Sequence, residues 1–113
     1  MTTVYHNPRC SKSRCCLEYL QSKGIEFQIV KYLETPPTVA ELTNIISLLA
    51  IKPEELLRKG EDLYKSDYKG KSFTDAEWIQ ILAQHPVLIE RPIVMHDNKA
   101  VVARPTERID DIL

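Results

Sequence analysis

The stretch that most restricts the fold is "TTVYHNPRCSKSRCCLEYLQSKGIEFQIVKYL", residues 2–33. "TTVYHN" (2–7) is β-branched and aromatic and stops at Pro8, which reads as a strand. From Ser11 to Lys23 the period changes. Leu17 and Leu20 share one helical face with Ser13 and Cys16, and Gly24 follows as a C-terminal stop. A second strand is predicted over "EFQIVKYL" (26–33). Two strands joined through a helix form a crossover unit and should lie parallel.

The rest of the chain adds helices and then a hairpin. Glu34 to Pro37 turns the chain. Thr38 and Glu41 form a capping box, because Glu41 can reach back to the Thr38 amide, and a helix should run to about Ala50. Pro53 opens a short helix through Leu57. "RKGEDLYKSDYKGKS" (58–72) is polar and charged and reads as mostly exposed loop. Thr74 and Glu77 form a second capping box, and the helix "DAEWIQILAQH" ends before Pro86. "PIVMHD" and "KAVVAR" are strands separated by Asp97 and Asn98, a hairpin whose turn would use the tolerance of Asn for left-handed geometry. Thr106 to Leu113 should be a last short helix. This order predicts an α/β fold in one domain over 1–113: a thioredoxin-like mixed sheet with a helical insertion between the second and third strands.

Composition narrows the partners. At 43% hydrophobic and 27% charged the chain is an ordinary globular one, and its net charge of −1 gives no bulk attraction to nucleic acid or anionic lipid. The longest apolar-rich run, "IISLLAI", is too short to span a bilayer, so no membrane contact is expected. The N-terminus lacks an apolar run after a charged start, so no secretory leader is expected. An odd number of clustered cysteines then points to a reducing cytoplasm.

All the cysteines lie in "CSKSRCC": Cys10, Cys15 and Cys16. A metal site is disfavoured, because a structural zinc site needs four ligands, often as two spaced pairs, and the second and third cysteines face different sides of a helix. A disulfide is disfavoured too. On helical geometry the α-carbons of Cys10 and Cys15 would be about 8 Å apart, beyond a limit of roughly 7 Å. Where a C-x-x-C pair would have its second cysteine, this chain has Ser13. One reactive thiol remains. Cys10 stands at a helix start, where unpaired amides and the charges of Arg9, Lys12 and Arg14 favour thiolate, and His6 offers a further donor or cation. Cys16 faces the core, and Cys15 lies roughly opposite and exposed. A protease-like use of Cys10 lacks a base with an orienting third group, since His85 reads as a helix-end residue. A phosphatase-type loop would need arginine at position 16, which is cysteine here. Arg58, Arg91 and Arg104 each stand at the end of an element, where their rigid forks could converge on an oxyanion.

Together, "YHNPRCSKSR" (5–14), "KYLETPP" (31–37), "LLRKGEDLY" (56–64), "HPVLIERPIVM" (85–95) and "ARPTERIDDIL" (103–113) resemble the glutaredoxin-coupled arsenate reductase family over essentially the whole chain. Arg9 and the "SKS" after the cysteine look like its arsenate-reductase-related branch. The resemblance implies that Cys10 is the nucleophile and that His6 favours its thiolate. It implies that Arg58, Arg91 and Arg104 hold the arsenate oxyanion, with Arg14 a further candidate, and that Arg91–Pro92 takes the place of a cis-proline. It also implies reduction of arsenate to arsenite through a Cys10 adduct, with glutathione and glutaredoxin as external reductants and no bound cofactor or metal. Two other readings use the same residues. A monothiol, glutaredoxin-like reductase of glutathione mixed disulfides would need Cys10 but not all three far arginines. A redox-responsive transcription regulator of the same superfamily commonly carries a C-x-x-C switch, against which Ser13 argues.

Overall fold

The computed structural model describes residues 2–113. It divides into two compact units, one formed by the chain up to Thr35 together with Arg91–Leu113, the other by Pro36–Glu90.

The first unit is built on a sheet. Among the described residues, β1 (Thr2–Tyr5), β2 (Gln28–Val30), β3 (Ile93–His96) and β4 (Lys99–Val102) form one sheet in the order β2-β1-β3-β4. β1 and β2 are parallel, with Tyr5 opposite Val30, as a helix crossover requires. β3 runs antiparallel to β1 and to β4, with Tyr5 opposite Ile93 and Ile93 opposite Val102. This is the thioredoxin-like mixed sheet predicted from the order of elements, with the insertion leaving the chain between β2 and β3. The strands are shorter than the sequence suggests. β1 ends at Tyr5, so His6 and Asn7 belong to the loop that follows, and β2 keeps three residues of the expected eight-residue run 26–33.

Helix α1 (Ser11–Ser22) packs on this sheet through Cys16 and Leu20, in a core with Val4, Val94, Val101, Ala103, Ile109 and Ile112. Its end is a Schellman motif: the Gly24 amide donates to the Gln21 carbonyl at 3.0 Å and the Ile25 amide to the Leu20 carbonyl at 3.1 Å. Gly24 holds φ +70 there, a conformation that a side chain disfavours. Ile25 then packs against the same core. The last element, Thr106–Asp111, is a 3-10 helix, and it is tied to α1 by a hydrogen bond from the Tyr19 hydroxyl to Asp110 at 2.8 Å.

The second unit holds α2 (Val39–Leu49) and α3 (Asp75–Gln84), with 3-10 turns at Pro53–Leu56 and Pro86–Leu88. Both capping boxes form. Thr38 and Glu41 exchange hydrogen bonds of 3.1 Å each, and Thr74 and Glu77 exchange bonds of 2.9 and 3.2 Å. Leu42, Ile45, Trp78, Leu82 and Leu88 are buried. The stretch 58–72 is less loop-like than its composition suggests. Tyr64–Tyr68 winds into a π-type turn, and the Tyr68 ring packs near Phe73, Trp78 and His85 with centroids 5.9, 6.2 and 6.1 Å away. An aromatic residue in a polar run gave that stretch an anchor on α3.

The β3–β4 turn is the two-residue one expected, but Asp97 rather than Asn98 takes the positive φ, 53°. The Arg91–Pro92 and Arg104–Pro105 bonds are both cis.

The structure separates the two vicinal thiols of α1. Cys15 is exposed, whereas Cys16 is fully buried and burial pushes its thiol up to about 12. Cys16→Ser should therefore destabilise the fold by about 1–2 kcal/mol, because a hydroxyl loses more than a thiol on leaving water. Cys15→Ser should fall within about 0.5 kcal/mol of wild type. Urea unfolding of both variants checks this, and equal midpoints would contradict the placement of Cys16.

Candidate active site

The site begins with a loop that the sequence holds tightly. After β1 the chain turns through Asn7–Pro8–Arg9 to Cys10. The Asn7 side-chain oxygen accepts from the Arg9 amide at 3.0 Å, and the Asn7 carbonyl accepts from the Cys10 amide at 3.0 Å. This is the local bonding for which Asn-Pro is suited. The Asn7 amide in turn donates to the buried Ser13 hydroxyl at 3.4 Å. The loop is thereby pinned at both ends to the first turn of α1.

Cys10 is the N-cap residue of α1. Its backbone is extended (φ −97°, ψ 121°) and its carbonyl accepts the first helical bond, from the Arg14 amide at 3.1 Å. An N-cap side chain normally offers an oxygen to the amides two and three residues on. Here those amides belong to Lys12 and Ser13, and the group facing them is sulfur. The thiol closes no cap hydrogen bond of ordinary geometry, as expected of a weak acceptor. A thiolate is a far better acceptor. Burial alone would raise the Cys10 thiol, but the Ser13 amide, the Arg91 guanidinium and the Lys12 amide outweigh it and bring the thiol from 9.0 down to about 7. About half of a thiol with that value is thiolate at neutral pH.

The hairpin delivers two arginines to the sulfur. Arg91 and Arg104 immediately precede and follow the paired part of β3 and β4, where the Ala103 amide donates to the Pro92 carbonyl at 2.9 Å. The Arg104 Nη2 lies 3.9 Å from Cys10 Sγ, and Arg104 Nε donates to the Arg91 carbonyl. The Arg91 guanidinium acts on Cys10 both as a donor and as a charge. The charge felt by the sulfur thus comes from 81 residues away in sequence, in addition to the helix amides, while the side chains of Arg9, Lys12 and Arg14 are exposed.

The remaining candidates have other surroundings. His6 is buried, and burial, then the charges of Lys31 and Arg14, lower its pKa below the usual histidine value, so the ring is neutral near pH 7. Arg14 is exposed on α1, with its charge registered at His6. Arg58 belongs to the second unit. Its Nη1 pairs with Glu61 at 3.0 Å and its Nε with Glu90 at 3.2 Å, in the segment where the Leu57–Ile89 bridge joins the two stretches. Among the described residues no three of His, Cys, Asp and Glu gather into a group that could hold a metal ion, and no helix is long and apolar enough to cross a membrane.

Two residues of this environment escape sequence reasoning. Asn7 carries a readable signal, the Asn-Pro pair before a helix. Tyr32 does not. It sits two residues beyond β2, beside the loop that leaves β1, because the parallel register puts both strand ends at the same end of the sheet and the His6 amide donates to the Val30 carbonyl at 2.8 Å. Three buried side-chain atoms here find no hydrogen-bond partner among the described residues: His6 Nδ1, Tyr32 Oη and Arg91 Nε. Unpaired buried donors and acceptors are rare in a folded chain and accumulate where a ligand completes them. A thiol lowered to about 7 with guanidinium groups beside it is an arrangement suited to nucleophilic attack on a small oxyanion.

The ArsC family model matches residues 5–112 of this chain. An arsenate reductase of Neisseria meningitidis is 41% identical over 112 residues, covering 97% of this chain and 96% of its own. An arsenate reductase of Escherichia coli is 42% identical over 112 residues, 98% of this chain and 79% of its own. The solved structure of an arsenate reductase from Vibrio cholerae matches with a TM-score of 0.95 at 42% identity, covering 99% of this chain and 97% of that one. By its sequence and by its fold, the chain belongs to the ArsC family.

Proposed function

We propose that the protein reduces arsenate to arsenite at Cys10 and draws its electrons from glutathione and glutaredoxin. The observation that carries this reading is the Cys10 sulfur, lowered to about 7 and flanked by Arg91 and by Arg104 at 3.9 Å. Relatives named as arsenate reductases, similar over nearly the whole chain, support the choice of oxyanion.

The chemistry follows from those groups. The Cys10 thiolate attacks the arsenic of dihydrogen arsenate, a sulfur–arsenic bond forms, and an arsenic–oxygen bond breaks. The leaving hydroxide takes a proton from solvent and departs as water. An anion is attacking an anion, so the step needs positive charge fixed in advance, which Arg91 and Arg104 supply. The thiol of glutathione then attacks the Cys10 sulfur. A disulfide forms, the sulfur–arsenic electron pair stays on arsenic, and arsenic passes from the pentavalent to the trivalent state as arsenite. Glutaredoxin removes the glutathionyl group by thiol–disulfide exchange and restores the Cys10 thiolate. One reactive thiol is enough for this cycle, because the resolving thiol arrives from outside. The neutral His6 serves as a hydrogen-bonding group rather than a cation. Arg58 and Arg14 enter the oxyanion clamp on the sequence resemblance, and substitution decides their roles. Thiol reductants of this kind place the reaction in a reducing compartment, the cytoplasm.

Arsenate-dependent oxidation of NADPH, coupled through glutathione, glutaredoxin and glutathione reductase, should be seen with the wild type and vanish in Cys10→Ser. Cys15→Ser should keep most of the activity. Arg58→Ala, Arg91→Ala and Arg104→Ala should each lower kcat/KM by roughly 10- to 100-fold, the value of a hydrogen bond to a charged group. A wild type that ignores arsenate yet turns over a glutathionylated peptide would replace this reading with the monothiol one.

The pH dependence has a definite sign. Iodoacetamide alkylation of Cys10, followed by peptide mass spectrometry, should rise through pH 7 and level off above it. An ordinary thiol would still be climbing past pH 8. Arg91→Ala should move the inflection upward, because it removes a group that favours the thiolate. An inflection above 8 in the wild type would refute the electrostatic account of Cys10.

A further inference from the structure

The mechanism above makes no use of Tyr32, and its placement is hard to explain as packing. The side chain is 1% exposed, yet Oη finds no hydrogen-bond partner among the described residues. A buried unpaired hydroxyl lowers stability, a cost that phenylalanine would avoid at nearly the same volume. The hydroxyl is also in particular company. Arg91 and Asn7 reach toward it as donors and Cys10 is near enough for its charge to be felt, yet none of the three closes a hydrogen bond of ordinary geometry with it. Arg91 Nε, buried and without a partner among the described residues, belongs to the same group of side chains. The topology explains the meeting, since β1 and β2 are parallel and release the segments that carry Cys10 and Tyr32 from the same end of the sheet.

The ionisation of the ring tells which kind of group it is. Burial pushes the phenol up to about 12, against the opposing pull of Arg91, so it is neutral near pH 7, where the thiolate forms. A neutral phenol beside a thiolate and a guanidinium is a hydrogen-bond donor in search of an acceptor. Among the described residues no acceptor lies in bonding geometry with it. An oxyanion joined to the Cys10 sulfur would bring its own oxygens into that neighbourhood, and a modest side-chain shift on binding is how loose active-site hydrogen bonds commonly tighten.

We propose that Tyr32 contacts the substrate, its phenolic O–H donating to an oxygen of the oxyanion held at Cys10 and so adding a neutral donor to the charged ones of the arginines. This rests on the reading of Cys10 as an oxyanion-reducing thiol. A neutral donor has a use that a fourth cation would lack. It fixes the orientation of the anion through one directional bond and adds no charge to the site.

The test compares wild type with Tyr32→Phe, which keeps the ring and removes only the hydroxyl. Tyr19→Phe is the control, since its hydroxyl bonds Asp110 on the surface. The readout is protection of Cys10 from iodoacetamide by increasing arsenate, resolved at that residue by mass spectrometry, together with KM and kcat in the coupled assay. Tyr32→Phe should need about tenfold more arsenate for half protection and should raise KM by a similar factor. The pH profile of Cys10 alkylation without arsenate should not move, and the melting temperature should be equal or higher. Tyr19→Phe should match wild type in protection. Equal half-protection in wild type and Tyr32→Phe overturns the proposal while leaving the function intact. A lower melting temperature with unchanged KM overturns it in favour of a packing role. Wild type that arsenate does not protect at all sinks the oxyanion reading of Cys10, and the role of Tyr32 with it.

Discussion

A sulfur atom stands where a helix ordinarily has an oxygen, and much of the structure follows from that exchange. The first turn of any helix presents amides with no partner inside the helix. In α1 these amides belong to Lys12 and Ser13, and they bear on the Cys10 side chain. Serine there would make an ordinary cap and be spent in doing so. Cysteine leaves the same amides to stabilise a negative charge instead. The rest of the first unit keeps this arrangement rigid. Asn7 and Ser13 tie the preceding loop to the helix, Cys16 and Leu20 fasten the helix to the sheet, and Gly24 ends it where Ile25 can rejoin the core.

The charge near the sulfur arrives by a different route. The composition is nearly neutral, with net charge −1, so the field at Cys10 is a matter of placement rather than of total. Placement depends on pairing between strands. β3 and β4 each border one cis X–Pro bond, and the arginine in each of those bonds lies close to the thiol group. Arg58 illustrates the other way a cation can be set in a protein. Two carboxylates, Glu61 and Glu90, take up its donors and fix its plane.

Much of the fold was readable because it rests on local chemistry. Two capping boxes, a glycine stop and a crossover between two strands are encoded within a few residues each, and each formed as read. The burial of Cys16 and the exposure of Cys15 followed from the 100° step of a helix in the same way. What escaped depends on residues far apart in sequence. The polar run 58–72 is anchored by Tyr68 against rings on and near α3. The cations beside Cys10 are Arg91 and Arg104 rather than its sequence neighbours, and no local pattern marks Tyr32 as part of that environment. Periodicity shows which face of a helix is buried. It does not show which distant charge a loop will meet.

The hairpin has an implication for how such a site can vary. Arg91 and Arg104 lie at the open end of the β3–β4 ladder, and Asp97 and Asn98 close the other end. Pairing from Ile93–Val102 to His96–Lys99 separates the two ends. The turn can therefore lengthen or change its composition while the ladder holds the arginines in register, and drift in that turn leaves the chemistry alone. A single residue inserted inside the ladder would do the opposite. It would carry every side chain of one strand to the other face and move one arginine relative to its mate. The same hairpin thus holds a segment free to diverge, its turn, and a segment bound to its geometry, the ladder that adjoins it.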